Sequence, residues 1–176
     1  MYGYSIESQR LVYGRRKQLM TKCLTVTLGM TGAGKTTWLR DKSPVVETDD
    51  LRVELLNDVN DITQEGLIFD TAVKRISQLF DTNDTVYFGA TLVDSKYRIS
   101  FLQSIKDMCK HNFVIDMFIF PCTPEVSMER ITKDLKDGIP RADSIQFIDE
   151  QYEQYLDALR CLLGDEKDFY RKVTIR

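Results

Sequence analysis

A chain of 176 residues with 43% hydrophobic content is long enough for one compact domain with a real interior, and too short for a second catalytic domain beside it. Its 24 Lys and Arg against 27 Asp and Glu give a net charge of −3, which excludes a global basic field for drawing in nucleic acid and leaves only local contacts. Four scattered cysteines with no C-x-x-C pair, one histidine, no apolar signal core and no membrane-length apolar run point to a soluble cytoplasmic protein without a zinc set.

Residues 1–22 carry Arg10, Arg15, Arg16, Lys17 and Lys22 against the single acid Glu7, with Tyr2, Tyr4 and Tyr13 interleaved. A basic, aromatic N-terminal arm of this kind suits a nucleic-acid backbone and its bases, although a frayed leader is the commoner state of a terminus. Met20 offers a second start site. From residue 23 to 176 the chain reads as one domain.

Leu24–Leu28 is a short apolar run read as a buried strand. Gly29-Met30-Thr31-Gly32-Ala33-Gly34-Lys35-Thr36-Thr37 follows at once and fits G-x-x-x-x-G-K-[ST], after which Thr37–Arg40 can open a helix. The glycines let consecutive backbone N–H groups turn toward phosphate oxygens, and the following helix adds the positive end of its dipole. Lys35 supplies a mobile cation for the β and γ phosphates, and Thr36 offers a hydroxyl to Mg²⁺. The bland alternative is a glycine-rich turn with a chance lysine. A complete match between a strand and a helix favours a nucleoside triphosphate site.

Beyond this loop, short apolar runs alternate with amphipathic segments. Val45–Glu47, Thr85–Phe88 and Phe113–Phe120 read as strands, and 67–80, 94–110, 124–136 and 143–163 as helices. Strands alternating with helices predict an α/β fold: a parallel sheet of about four to five strands with crossover helices on both faces. Ligands in such sheets sit beyond the carboxyl ends of the strands, so the phosphate loop must cluster with the segments that begin at Thr48, Gly89 and Pro121.

Thr48-Asp49-Asp50-Leu51-Arg52 follows the second strand directly and sets two carboxylates and an arginine at that mouth. The spacing of Asp49 and Arg52 puts both on one face of a starting helix. A carboxylate there can take the proton of an attacking hydroxyl, and the arginine can hold an acceptor phosphate in a bidentate grip. Equally, Thr48 or Asp49 can be a plain helix N-cap.

The phosphate loop with Trp38, then Asp49-Asp50-Leu51-Arg52, then Phe69-Asp70-Thr71-Ala72, then Phe120-Pro121 leading to a helix with Arg130, resembles the kinase domain of bacteriophage polynucleotide 5′-hydroxyl kinase from about Met20 to Leu159. That resemblance implies a P-loop kinase fold with a helical lid and ATP and Mg²⁺ at Lys35 and Thr36. It implies Asp49 as general base, Arg52 and Thr91 toward the acceptor, and Arg130 over the triphosphate. The acceptor it implies is a 5′-hydroxyl end of DNA or RNA. Two departures accompany it. Gly89-Ala90-Thr91-Leu92-Val93 lacks the acid that the family places near the acceptor arginine, and Asp134 stands where the lid has a second arginine, leaving Lys133, Lys136 or Arg141 as substitutes.

Other positions carry plainer readings. Lys96 and Arg98 open a helix whose Ile99, Leu102, Ile105 and Cys109 make a core stripe, so both are expected in solvent more than at an acceptor phosphate. The tyrosines and Phe147 of the last helical segment are expected in the core, and His111 in a loop at the far end of its strand. Three functions follow: a polynucleotide 5′-hydroxyl kinase, a kinase for another hydroxyl (a nucleoside, a small alcohol or a hydroxymethylated base in phage DNA), or a nucleotide-dependent switch without turnover.

Overall fold

A computed structural model describes residues 21–139 and 145–176. The arm through Met20, with Tyr2, Tyr4 and Tyr13, the lid candidate Arg141 and the expected helix start at Asp143 lie outside the described residues.

The first strand, β1 (Lys22–Leu28), buries Leu24, Val26 and Leu28 completely on one face of the sheet. It lies at the centre of five strands, with β2 (Val45–Glu47), β3 (Thr85–Gly89), β4 (Phe113–Ile119) and β5 (Lys172–Ile175) in the order β2-β3-β1-β4-β5. Every pairing is parallel, so each return passes through a crossover on a face of the sheet. The helices are α1 (Lys35–Leu39), α2 (Thr48–Leu56), α3 (Glu65–Leu79), α4 (Ser95–Met108), α5 (Pro124–Lys136) and α6 (Ile148–Leu163). This is the α/β sheet that the alternation predicts.

Side-chain caps set the start of two helices. Asp94 caps α4 by accepting from Tyr97 N at 2.7 Å, and Thr123 caps α5 by accepting from Val126 N at 3.5 Å, with Pro124 in the first turn. The main core joins Val26, Leu28, Phe88 and Met117 of the sheet to Ile68 and Ile76 of α3, Phe101 and Leu102 of α4, and Tyr155 and Leu162 of α6. Each such side chain contributes about 1.5–3 kcal/mol of burial. On the other face Trp38 of α1 stacks on Phe118, with ring centroids 4.8 Å apart.

Two expectations need correction. The last helix begins at Ile148, after a 3₁₀ turn over Ile145–Phe147, and Phe147 is 39% exposed instead of lying in the core. Tyr155 is buried as expected, and Tyr152 packs half-buried against the same core. The strand β5 is absent from the sequence reading. Its side chains are almost all exposed, so no apolar run marks it, and it is secured by Arg171, whose Nε donates to Asp116 Oδ1 of β4 at 2.9 Å.

Candidate active site

The carboxyl ends of β1, β2 and β3 open into a cleft of about 1020 Å³ lined by Thr31–Thr37 of the phosphate loop. Gly34 has φ +99°, a left-handed conformation that turns the loop into α1 and that side chains rarely adopt. Lys35 Nζ donates to the carbonyls of Gly29 and Met30 at 2.6 and 2.8 Å. Those two residues thus act through backbone carbonyls, and the Met30 side chain is fully buried instead of facing the cleft.

Four residues brace the loop. Ser127 of α5 donates to Thr31 O at 2.5 Å, and Arg130 Nη1 donates to Gly32 O at 2.9 Å. Gln151 of α6 accepts from Thr31 N at 3.1 Å, and Thr91 O accepts from Gly29 N at 3.2 Å. Arg130 is thereby tied to the backbone of the phosphate loop. Of the substitutes for a second lid arginine, Lys133 lines the cleft beside Asp134, Lys136 does not, and Arg141 lies outside the described residues.

Glu47, at the end of β2, is a site residue that sequence reading missed. Its Oε1 accepts from the Thr36 hydroxyl at 2.7 Å. Burial pushes its carboxyl above the ordinary range, Asp50 and Asp49 push the same way, and the Thr36 hydroxyl and Lys35 oppose them. Two hard oxygen donors side by side amid further carboxylates suit Mg²⁺, which prefers oxygen ligands. The carboxylate reaches Thr36 because β3 ends in Gly89, where a Cβ would lie 2.7 Å from Glu47 Cγ and 2.5 Å from Leu39 Cδ1. Gly89→Ala is therefore expected to displace Glu47 at a cost of about 1–3 kcal/mol. Thermal unfolding should show the lowered Tm, and a Mg²⁺ titration of transfer should show a higher half-saturating concentration.

Asp49 lies in the first turn of α2, and neither it nor Thr48 is the cap: the cap position is Glu47, whose side chain makes no capping bond. Asp49 Oδ1 instead accepts from Arg52 Nη1 at 2.5 Å. Arg52 is only 8% exposed, and its Nε and Nη2 fork onto Glu65 at 2.7 and 2.9 Å. Burial alone would lower the guanidinium, but Glu65 and Asp49 outweigh it and hold it above its ordinary value. This corrects the sequence reading on two points. The acid missing after β3 is supplied by Glu65 at the start of α3, and the bidentate face of Arg52 is taken by that acid. A guanidinium has five N–H groups, so two remain for an acceptor.

The far wall is formed by residues 89–94 with Phe69 and Tyr97, whose rings meet edge to face at 4.8 Å. Thr91 lines it, half-buried. Lys96 is exposed, as expected, but Arg98 is 0% exposed, paired with Glu166 at 2.5 Å. His111 sits outside the cleft, its Nε2 2.9 Å from Asp81 Oδ1. Among the described residues no helix is long and apolar enough to cross a membrane.

No protein-family model matches the chain, and no curated protein is significantly similar to it in sequence. The structure is similar to that of the Pnkp1/Rnl/Hen1 complex, at 19% identity and TM-score 0.52 over 62% of this chain and 39% of that one. It is similar to the PezAT chromosomal toxin–antitoxin system of Streptococcus pneumoniae, at 19% identity and TM-score 0.56 over 88% of this chain and 66% of that one. A gluconokinase from Sinorhizobium meliloti 1021 matches at 15% identity and TM-score 0.50, over 85% of this chain and 79% of that one. The chain thus spans 39% and 66% of the first two chains. At such identities the common ground is architecture: the chain has the P-loop kinase fold.

Proposed function

We propose that residues 23–176 form an ATP-dependent phosphotransferase that moves the γ-phosphoryl group of ATP to a hydroxyl, and that this hydroxyl is the 5′ end of a DNA or RNA strand. The observation that carries the reading is the Asp49–Arg52–Glu65 constellation set across one cleft from a complete phosphate loop. A plain nucleotide switch has no use for a carboxylate and a buried arginine held there. The resemblance to polynucleotide kinases supports the finer acceptor assignment, as does the fold shared with the Pnkp1/Rnl/Hen1 complex.

In this reading the loop amides and Lys35 bind the β and γ phosphates, and Arg130 compensates charge as it builds on the transferring group. Thr36 and Glu47 would hold Mg²⁺, which when bound neutralises phosphate charge. Asp49, oriented by Arg52, accepts the proton of the acceptor hydroxyl as its oxygen bonds to the γ phosphorus and the bond to the bridging oxygen of ADP breaks. Arg52 directs its two remaining N–H groups to the acceptor, with Thr91 on the wall beside it.

One observation favours another acceptor. Phe69 and Tyr97 offer an aromatic wall, while Glu65 and Asp94 keep that end of the cleft acidic. Such a wall suits a nucleoside, another small alcohol, or a flipped hydroxymethylated base of phage DNA. Transfer from γ-labelled ATP to 5′-hydroxyl oligonucleotides, nucleosides and hydroxymethyl-containing duplex decides between them. No labelled product from any of the three would sink the phosphotransferase reading.

Arg52→Ala sharpens the acceptor assignment. Two lost charge-assisted hydrogen bonds should raise the acceptor KM about 10–100-fold, with the KM for ATP changed less than about twofold. On a nucleoside without phosphate the defect should be far smaller. Equal loss on both acceptors would mean that Arg52 serves only to orient Asp49.

A further inference from the structure

Arg98 lies outside the cleft, yet it is the largest fully buried side chain of the protein's described residues. A guanidinium taken out of water is costly unless its N–H groups are met by acceptors. Here all five are. Nε donates to Glu166 Oε2 at 3.1 Å, and Nη2 to Glu166 Oε1 and Ser95 Oγ at 2.5 and 3.0 Å. Nη1 donates to the carbonyls of Leu92 and Val93 at 2.6 and 3.3 Å. The Tyr170 hydroxyl donates to Glu166 Oε2 at 2.9 Å and completes the set.

Those two carbonyls belong to the wall of the cleft. Leu92 has φ +51°, in the left-handed region that a leucine rarely adopts, so the turn depends on bonds from outside itself. On one side Thr91 O is tied to Gly29 N of the phosphate loop, and on the other Asp94 caps α4. Arg98 holds the stretch between these ties, and it sets the start of α4 from which Tyr97 packs against Phe69.

We propose that Arg98, held by Glu166 and Tyr170, is a positioning residue for the acceptor: it fixes the backbone of Leu92 and Val93, so that Thr91 and the Phe69–Tyr97 wall meet the hydroxyl substrate already in place. The consequence for turnover rests on the phosphotransferase reading of the cleft. The mechanical part, a buried cation holding a cleft wall through its carbonyls, does not.

The test is Arg98→Lys, which keeps the charge and loses the fork, compared with the parent by amide hydrogen exchange and by transfer to a 5′-hydroxyl oligonucleotide. Exchange across 89–97 should rise about tenfold, with β4 unchanged, because the lost bonds are local. The oligonucleotide KM should rise about tenfold, while the Kd for ATP stays within about twofold. Tyr170→Phe, which leaves the Arg98–Glu166 pair intact, should move both readings the same way by less, and it decides the matter if Arg98→Lys does not fold. Parent-like exchange over 89–97 in a folded variant overturns the proposal. So does a rise spread evenly over the chain, which marks a general loss of stability. If the parent transfers nothing to the oligonucleotide, the acceptor reading falls and the local exchange result alone upholds or overturns the role of Arg98.

Discussion

Lys35→Ala is expected to reduce phosphoryl transfer by at least about 10³-fold, because in the proposed reading it removes the mobile cation at the β and γ phosphates. Its partners in the structure include the carbonyls of Gly29 and Met30, in part-buried hydrogen bonds that hold no core side chain in place. Water can replace those bonds, so the fold should survive with a Tm within a few degrees of the parent. Labelled-ATP transfer together with a melting curve checks both halves. Parent-like turnover in a folded Lys35→Ala protein would remove the claim that the loop is a catalytic phosphate site.

Asp49→Asn should lower kcat by about 10²–10⁴-fold with little change in ATP affinity, the range for a lost general base. The amide keeps the shape of the carboxylate and can still accept from Arg52 Nη1, so the geometry of the α2 turn should hold. What disappears is the capacity to take a proton. A matching loss of ATP binding, measured directly by calorimetry, would point instead to a role in holding the Mg²⁺ proposed at Glu47 and Thr36. Together the two substitutions separate donor-side from acceptor-side chemistry, since the proposed mechanism gives Lys35 the phosphates and Asp49 the hydroxyl.

Much of the architecture is legible in order along the chain. The helix expected over 124–136 is found at Pro124–Lys136, and β1, β3, β4, α3 and α4 fall within about two residues of their expected spans. These signals are local: a cap, a period, a run of branched side chains. The phosphate loop belongs with them, because its backbone conformation is written in its own glycines. Where the local signal is weak the reading fails, as at β5, whose four residues form an exposed edge, and at the start of α6.

The sequence by itself determined the parallel α/β sheet, the strand–glycine loop–helix unit at its centre, and the meeting of Asp49 and Arg52 at the mouth of the cleft. Only the tertiary structure decided what those charges face. Nothing near Arg98 distinguishes it from a solvated helix arginine; Glu166, 68 residues later, makes it a buried one. Glu65 becomes the partner of Arg52, and Glu47 that of Thr36, for the same reason. An ionisable side chain carries no periodicity that reveals its partner. Coulomb attraction and hydrogen bonding act through space, and burial strengthens them only after the sheet has brought distant segments together.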